Sequence, residues 1–130
     1  MAVRIVRLGA PRFSDEGVRL GTVRRPPRGV RKQDYATRDF YDAWLPELGP
    51  SDALLAWARA RPLTAARWAQ FVKRYRREMQ APAAQRLLAL IALLSRTTNL
   101  SVGCYCEHEE RCHRSVLRTL LAESGAVVQR

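Results

Sequence analysis

The fold of this chain is decided near its C-terminal end, by the stretch "NLSVGCYCEHEERCHRSVLRTLLAESG" at residues 99–125. Its first part alternates as a buried strand does, because Leu100, Val102 and Cys104 fall on one face. A polar loop follows, and Gly125 is the predicted stop of the helix after it. The apolar face of that helix consists of Val116, Leu117, Leu120 and Leu121. A strand, a loop and a helix in this order are typical of an α/β domain.

Two further strands are predicted in the N-terminal part of the chain. Residues 3–8, "VRIVRL", and residues 18–23, "VRLGTV", both carry β-branched residues in alternation. The segment "FSDEG" between them, residues 13–17, indicates a hairpin or a loop. Residues 24–38, "RRPPRGVRKQDYATR", have no period and are rich in Pro, Gly and Arg, so they are predicted to form a loop. A short last strand is predicted at residues 126–129.

The middle of the chain is predicted to be helical. Residues 39–48, "DFYDAWLPEL", indicate a short helix or turn that Pro46 ends, and Ser51 and Thr64 are predicted to cap the two helices that follow. The second of these has an apolar stripe that we expect in the core, formed by Trp68, Phe71, Val72, Tyr75 and Met79. Residues 84–96, "AQRLLALIALLSR", are apolar nearly all round and predict a largely buried helix. Together these elements predict one α/β domain over residues 1–130, with a mainly parallel sheet flanked by helices.

The composition indicates the cellular setting and the kind of partner. The formal net charge is +11, and arginine supplies 21 of the 23 basic residues. Such a surface attracts phosphate-bearing ligands, nucleic acid or acidic partners, unless the arginine content only reflects coding bias. No segment has the roughly 18 consecutive apolar residues of a membrane helix, and Arg4 and Arg7 interrupt the N-terminal apolar run. We therefore expect a cytoplasmic protein without a membrane partner, whose three cysteines are thiols or metal ligands.

All three cysteines and both histidines lie in "CYCEHEERCHRS", residues 104–115. The predicted loop follows a strand and precedes a helix, which is where open α/β sheets bind ligands. The first N–H groups of the helix and its dipole attract an anion there. We predict a phosphate site with Arg24, Arg28 and Arg114 as clamps and Ser115 as a further donor. In the alternative, Arg111 and Arg114 pair with the acids of the loop, Glu107, Glu109 and Glu110.

The same turn predicts a reactive thiol. Cys112 stands at the start of the helix beside His113 and Arg114, so its pKa should be lowered. Cys112 would then be a catalytic nucleophile or a redox thiol, and His113 a proton carrier. The Cys-x(5)-Arg loop of phosphotyrosine phosphatases is not matched, because four residues separate Cys106 from Arg111. The spacing therefore argues against that chemistry.

A metal site is the third possibility for this turn. Cys104 and Cys106 are two residues apart on a strand, so they point to the same face and can converge on one ion. With Cys112 and His113 they make up the four ligands that zinc prefers, and His108 is a further possible ligand. The plainest alternative is structural, because small thiols also pack a strand against a helix.

Four segments of the chain carry a resemblance to a known family. They are "YDAWLPELGPS" at residues 41–51, "RWAQFVKRYRREM" at residues 67–79, "CYC" at residues 104–106 and "CHRSVL" at residues 112–117. Over residues 17–121 the chain resembles the domain-of-unknown-function 488 family. The resemblance implies a compact bacterial α/β domain without an established reaction. It also implies two paired features, the loop arginines and the CHR turn: Arg24, Arg25 and Arg28, with Cys112, His113 and Arg114.

These observations predict a ligand class for the domain. We expect a phosphate-bearing ligand, either a nucleotide or a nucleic-acid backbone, bound with residues 104–115 as floor and residues 24–32 as rim. One alternative is a non-enzymatic nucleic-acid-binding module with steeply salt-dependent affinity. Another is a zinc or thiol-redox structural module built on the cysteines. The residues specify neither a reaction nor an oligomeric state.

Overall fold

Four parallel strands form the central sheet of the structure, a computed structural model that describes residues 1–129. In chain order they are β1 (Val3–Arg7), β2 (Val18–Gly21), β3 (Ala43–Trp44) and β4 (Leu100–Cys104). Their order across the sheet is β1-β4-β2-β3. Leu100 of β4 pairs with Val3 on one side and with Val18 on the other, so the last strand in the sequence joins the first two. The predicted α/β class with a mainly parallel sheet is confirmed.

Four helices accompany the sheet. They are α1 (Asp52–Ala60), α2 (Ala65–Glu78), α3 (Pro82–Leu94) and α4 (His113–Glu123), with short 3-10 turns at Lys32–Asp34 and Pro46–Leu48. Both predicted N-caps are confirmed, because the Ser51 hydroxyl accepts from the Leu54 N–H at 3.1 Å and that of Thr64 from the Arg67 N–H at 3.2 Å. Gly125 follows α4 with φ 91°, a left-handed conformation that favours glycine. Within residues 1–129 no helix is long and apolar enough to cross a membrane.

The main core is built by the sheet and all four helices. The apolar stripe of α2 enters it as predicted, with Phe71, Tyr75 and Met79 buried and the Tyr75 hydroxyl donating to the Leu48 carbonyl at 2.6 Å. The prediction for α3 is wrong in part. That helix packs by one face only, since Leu90 remains 50% exposed and Leu93 63%. An all-round apolar sequence does not reveal which side of a helix will find a neighbour.

The segment at residues 39–48 differs from its prediction as a short helix or turn. It contains the edge strand β3, which pairs with β2, and the Leu45 N–H donates to the Gly21 carbonyl at 2.8 Å. Pro46 begins a helical turn there and does not end one, which its fixed φ and missing N–H allow at a first position. Hydrogen bonds to a neighbouring strand have overridden the local pattern.

The structure also decides two predictions about the segments next to the strands, residues 13–17 and residues 126–129. Residues 13–17 form a loop and no hairpin, because β1 and β2 are parallel and β4 lies between them. Residues 126–129 make a single parallel bridge, Val128 to Val3, at the edge of the sheet. Parallel strands need long connections, and the one between β2 and β3 covers residues 22–42. It contains residues 24–32, called the arginine loop below.

A buried ion pair joins β2 to the loop that precedes it. Arg19 of β2 is fully buried, and its Nε and Nη2 donate to the two carboxylate oxygens of Glu16 at 2.6 and 2.9 Å. Its Nη1 donates to the carbonyls of Ala10 and Asp39, while the Ser101 hydroxyl of β4 donates to Glu16 at 2.6 Å. Burial alone would raise the pKa of Glu16, but the hydrogen bonds from Arg19 and Ser101 outweigh it and hold that pKa below its ordinary value.

Candidate functional site

The carboxyl ends of β2 and β4 open into a cleft of about 760 Å³. Two of its walls are the segment after β2, residues 23–28, and the turn after β4, residues 104–113. Because β2 and β4 are neighbours in the sheet, the segments that follow them meet at one edge. Ligands of open α/β sheets bind at such an edge. The arginine loop and residues 104–115, called the cysteine turn below, were predicted as rim and floor of one pocket, and residues of both line this cleft.

A third wall comes from α1 and was not predicted as part of the site. Leu55 and Arg59 line the cleft from that helix, and Leu63 lines it from the connection to α2. Leu55 and Arg59 are four residues apart and therefore share one side of α1. One residue of the sequence could have indicated this wall. Leu55 is apolar but does not lie on the face of α1 that packs into the core. Arg111 ties the turn to this wall by donating to the Leu63 carbonyl.

The charge along the cleft is strongly positive. The only carboxylate among its lining residues in the described chain is that of Asp52. Asp52 is paired with the exposed Arg25, whose Nε and Nη2 donate to it at 3.2 and 3.1 Å. Against this single acid the cleft is lined by five arginines, Arg24, Arg25, Arg28, Arg59 and Arg111.

The cleft arginines differ in whether their guanidinium N–H groups already have acceptors within the protein. Arg24 donates to the carbonyls of Gly49 and Pro50, both at 3.2 Å, and so braces the wall. Arg28 and Arg59 are exposed, and neither has a hydrogen-bond acceptor or an ion-pair partner among residues 1–129. These two guanidinium groups are therefore the ones that remain available to a ligand.

The three cysteines meet at the floor of the cleft. Cys104 is the last residue of β4, Cys106 follows two residues later in the turn, and Cys112 is the N-cap of α4. Their sulfur atoms all lie within 4.8 Å of one another, and the Sγ atoms of Cys104 and Cys106 are 3.6 Å apart. Cys104 and Cys112 are buried, whereas Cys106 is exposed. Solvent therefore reaches the cluster through Cys106.

Hydrogen bonds among the sulfurs separate the pKa values of the three thiols. Hydrogen bonding to Cys106 and Cys112, together with burial, raises the pKa of Cys104 far above its ordinary value. The pKa of Cys106 is lowered, first by the hydrogen bonds from Cys104 and Cys112 and then by the charge of Arg114. The pKa of Cys112 is also lowered, first by its hydrogen bond with Cys104 and then by its hydrogen bond with His113. The lowered pKa predicted for Cys112 is thus shared with the more accessible Cys106.

His113, the first residue of α4, is fixed between the sheet and the thiols. Its Nε2 lies 2.6 Å from the Thr22 carbonyl oxygen, and a carbonyl only accepts, so Nε2 carries a hydrogen. Its Nδ1 faces the Cys112 sulfur at 3.8 Å, and the edge of the ring packs on Tyr75. The proposed roles of Cys112 as nucleophile and His113 as proton carrier stay predictions.

Two of the predicted phosphate ligands shape the turn and do not line the cleft. Arg114 is only 4% exposed, and its Nη2 donates to the Cys106 carbonyl at 2.7 Å. Ser115 donates its hydroxyl to the Cys112 carbonyl at 2.9 Å, within the first turn of α4. Of the residues predicted as a phosphate site, the structure places Arg24 and Arg28 at the cleft, together with the three cysteines and His113.

The acids of the turn do not neutralise the cleft arginines. Glu109 pairs with Arg118 of α4, through contacts of 2.8 and 3.0 Å. Neither Arg111 nor Arg114 has an ion-pair partner in the part of the chain that the structure describes. The alternative in which the loop acids absorb these charges therefore does not describe this structure.

The fold and the site define a small α/β domain with an arginine- and cysteine-lined cleft at the carboxyl edge of a parallel sheet. Residues 3–125 match the family model described as the active DUF488-N3 subclade. The chain therefore belongs to the domain-of-unknown-function 488 family, as the resemblance predicted. An uncharacterised protein of Mycobacterium bovis and one of Mycobacterium tuberculosis are each 29% identical to it over 119 residues, which cover 92% of both chains. No solved structure matches the chain.

Proposed function

We propose that the protein binds a phosphate-bearing small molecule, and in the first place a nucleotide, in the cleft between the arginine loop and the cysteine turn. The observation that carries the proposal is the gathering of five arginines and one carboxylate around a single cleft. Its volume of about 760 Å³ is that of an ordinary small-molecule site, for which roughly 300–1,000 Å³ is usual. A cationic cleft of this size favours a compact anion.

The uncharged part of the lining favours a ligand with an apolar body. Leu55, Leu63 and Phe71 line the cleft from the helical side, and Pro26 and Pro27 line it from the loop. A ligand that combines a flat apolar group with a phosphate would satisfy both kinds of surface. A nucleotide has that combination, with its base against the apolar residues and its phosphate on guanidinium groups.

Two arginines are expected to supply most of the phosphate affinity. Arg28 stands on the loop and Arg59 on α1, and both guanidinium groups are exposed and unpaired within residues 1–129. Arg24 and Arg111 already donate to backbone carbonyls, so they hold the walls in place. The backbone N–H groups of the first turn of α4 add partial positive charge at the floor.

Calorimetric titration of the metal-free protein with ADP and with inorganic phosphate tests the proposal. We expect ADP to bind, and Arg28→Ala and Arg59→Ala each to weaken it about tenfold or more, because a hydrogen bond to a charged group contributes about 1.5–3 kcal/mol. The matched control is Arg86→Ala, which removes one exposed arginine from α3, outside the cleft. ADP affinity should be unchanged in that variant.

A non-enzymatic nucleic-acid-binding module is the second function considered, favoured by the net charge of +11. In that case a short single-stranded oligonucleotide would bind with steeply salt-dependent affinity. All three arginine variants would then weaken it to a similar degree, since diffuse contacts make little distinction between sites. That result, together with the absence of ADP binding, would overturn the small-molecule proposal.

A further inference from the structure

The cysteine cluster at the floor of the cleft has the dimensions of a metal site. Zinc binds thiolate sulfur at about 2.3 Å, so two thiolates of a tetrahedral zinc lie about 3.8 Å apart. The Sγ atoms of Cys104 and Cys106 are 3.6 Å apart, and that of Cys112 lies within 4.8 Å of both. Small side-chain rotations would therefore bring the distances between the three sulfurs to the roughly 3.8 Å that one tetrahedral zinc requires.

We propose that Cys104, Cys106 and Cys112 bind one zinc ion through three thiolates, with the fourth position of the metal facing the cleft. On binding, each thiol that is still protonated releases its proton to solvent, because the thiolate is the ligand. All three cysteines line the cleft, so the side of the ion that the protein leaves uncovered is the side that a ligand reaches. Three protein ligands and an exchangeable fourth position are the arrangement of catalytic zinc sites.

The fold holds the three sulfurs in place before any ion binds. Cys104 is fixed in β4 and Cys112 at the start of α4, and both are buried. The intervening turn is held by Arg114, which donates to the Cys106 carbonyl at 2.7 Å. Tyr105 adds a second tie, because its hydroxyl donates to a carbonyl of the arginine loop at 2.9 Å. Two of the ligands therefore come from regular elements and the third from a turn that is tied at both its backbone and its neighbour, which lowers the ordering cost of metal binding.

The charges around the cluster suit a zinc ion with three thiolates, whose net charge is −1. The positive charges of Arg114 and Arg59 act on Cys106. His113 lies on the other side of the cluster, with its Nε2–H on the Thr22 carbonyl and its Nδ1 3.8 Å from the Cys112 sulfur. Because Nε2 carries the hydrogen of the neutral ring, Nδ1 donates to the Cys112 thiolate only when the ring is an imidazolium, which adds a positive charge beside the cluster. An anchored partner of this kind orients a metal ligand, so His113 is a positioning residue here.

Cobalt titration of the reduced, metal-free, full-length protein tests the site without any phosphate ligand. We expect one Co²⁺ per chain, thiolate-to-cobalt charge-transfer absorption, and displacement of the cobalt by an equivalent of Zn²⁺. Added imidazole should shift the visible cobalt bands, because it takes the fourth position. A spectrum without charge-transfer absorption would overturn the metal site, and bands unmoved by imidazole would overturn the open position.

One variant is suited to this test because its side chain is outside the core. Cys106→Ser replaces the exposed thiol. Losing a residue that only orients a metal ligand already costs up to about 100-fold in affinity, so we expect the loss of a ligand to lower Co²⁺ affinity by at least about 100-fold. The matched control is His108→Ala, an exposed residue of the same turn, which should keep full affinity. Undiminished affinity in Cys106→Ser, or loss in His108→Ala, would overturn the assigned ligand set. ADP binding is measured in metal-free protein, so the two proposals can fail separately.

Discussion

Two arginines are buried among residues 1–129, and their charges are compensated in opposite ways. Arg19 is fully buried and faces a carboxylate, with two hydrogen bonds to Glu16 and two to backbone carbonyls. Arg114 is 4% exposed, donates to one carbonyl, that of Cys106, and has no carboxylate within ion-pair distance among residues 1–129. Its Nε finds no acceptor there either.

The positive charge of Arg19 is compensated within the fold, whereas that of Arg114 remains available to a negatively charged group. A buried charge is costly unless it is paired, and Arg19 is paired within the fold itself. The only negative charge that can compensate Arg114 is that of a neighbouring thiolate. Hydrogen bonds from the other two sulfurs lower the pKa of Cys106, and the charge of Arg114 lowers it further. The sheet is thus neutralised internally, whereas the turn retains positive charge beside its sulfurs. That contrast predicts large stability effects at Arg19 and small ones at Arg114.

The largest effect is expected from Arg19→Met. This change leaves the Glu16 carboxylate buried without its partner, so the free energy of unfolding should fall by about 3–5 kcal/mol. Urea denaturation at neutral pH measures it. The control is Arg25→Met, which breaks the exposed pair with Asp52 and should cost no more than about 1 kcal/mol. Equal losses in the two variants would contradict the distinction between buried and exposed pairs.

A double variant sharpens the same comparison. Glu16→Gln combined with Arg19→Met removes both charges, so no buried ion is left alone. Because most of the cost of the single change is a stranded carboxylate, the double variant should lose clearly less than the sum of the two single losses. Strict additivity would mean that the two residues do not interact as the hydrogen bonds indicate.

The next largest effect on stability is expected from lowering the pH. Glu16 has a pKa lowered below its ordinary value of 4.5, so its contribution to stability is complete above that value and is lost as the pH falls through the folded-state pKa. Each unit of difference in pKa contributes about 1.4 kcal/mol. Urea unfolding from neutral pH to pH 3 should therefore show the wild type and Arg19→Met converging as the pH falls. A constant difference would contradict this assignment of Glu16.

Much of the fold could be predicted because its signals are local. Alternation marked β1, β2 and β4, hydroxyl residues marked the starts of α1 and α2, and a glycine marked the end of α4. What could not be predicted depends on neighbours. β3 is a strand only because β2 offers it hydrogen-bonding partners, and α3 is half exposed because of what packs against it. Arg19 gave no sign of burial, since its partner Glu16 lies in a segment that could be described only as a loop.

The site shows the same division. The cysteine turn and the arginine loop could be placed together because the family resemblance implies that they are paired. The structure shows why they meet, since both follow neighbouring parallel strands at one edge of the sheet. Which arginines face the cleft could not be inferred, because it depends on side-chain direction. Arg28 faces the cleft while Arg114 turns inward, and Arg59 comes from α1, a helix that was not predicted as part of the site.

Of the two buried arginines, Arg114 is expected to have the smaller effect on stability when it is changed to Met in the metal-free protein. The change removes one hydrogen bond, which contributes about 1 kcal/mol, and it leaves no carboxylate stranded. The loss in urea denaturation should therefore stay within about 1.5 kcal/mol, well below that of Arg19→Met. Co²⁺ affinity should nevertheless fall about tenfold or more, because the three thiolates lose the charge that compensates them. A stability loss as large as that of Arg19→Met, with unchanged Co²⁺ affinity, would make Arg114 a structural residue like Arg19 and would remove the contrast between them.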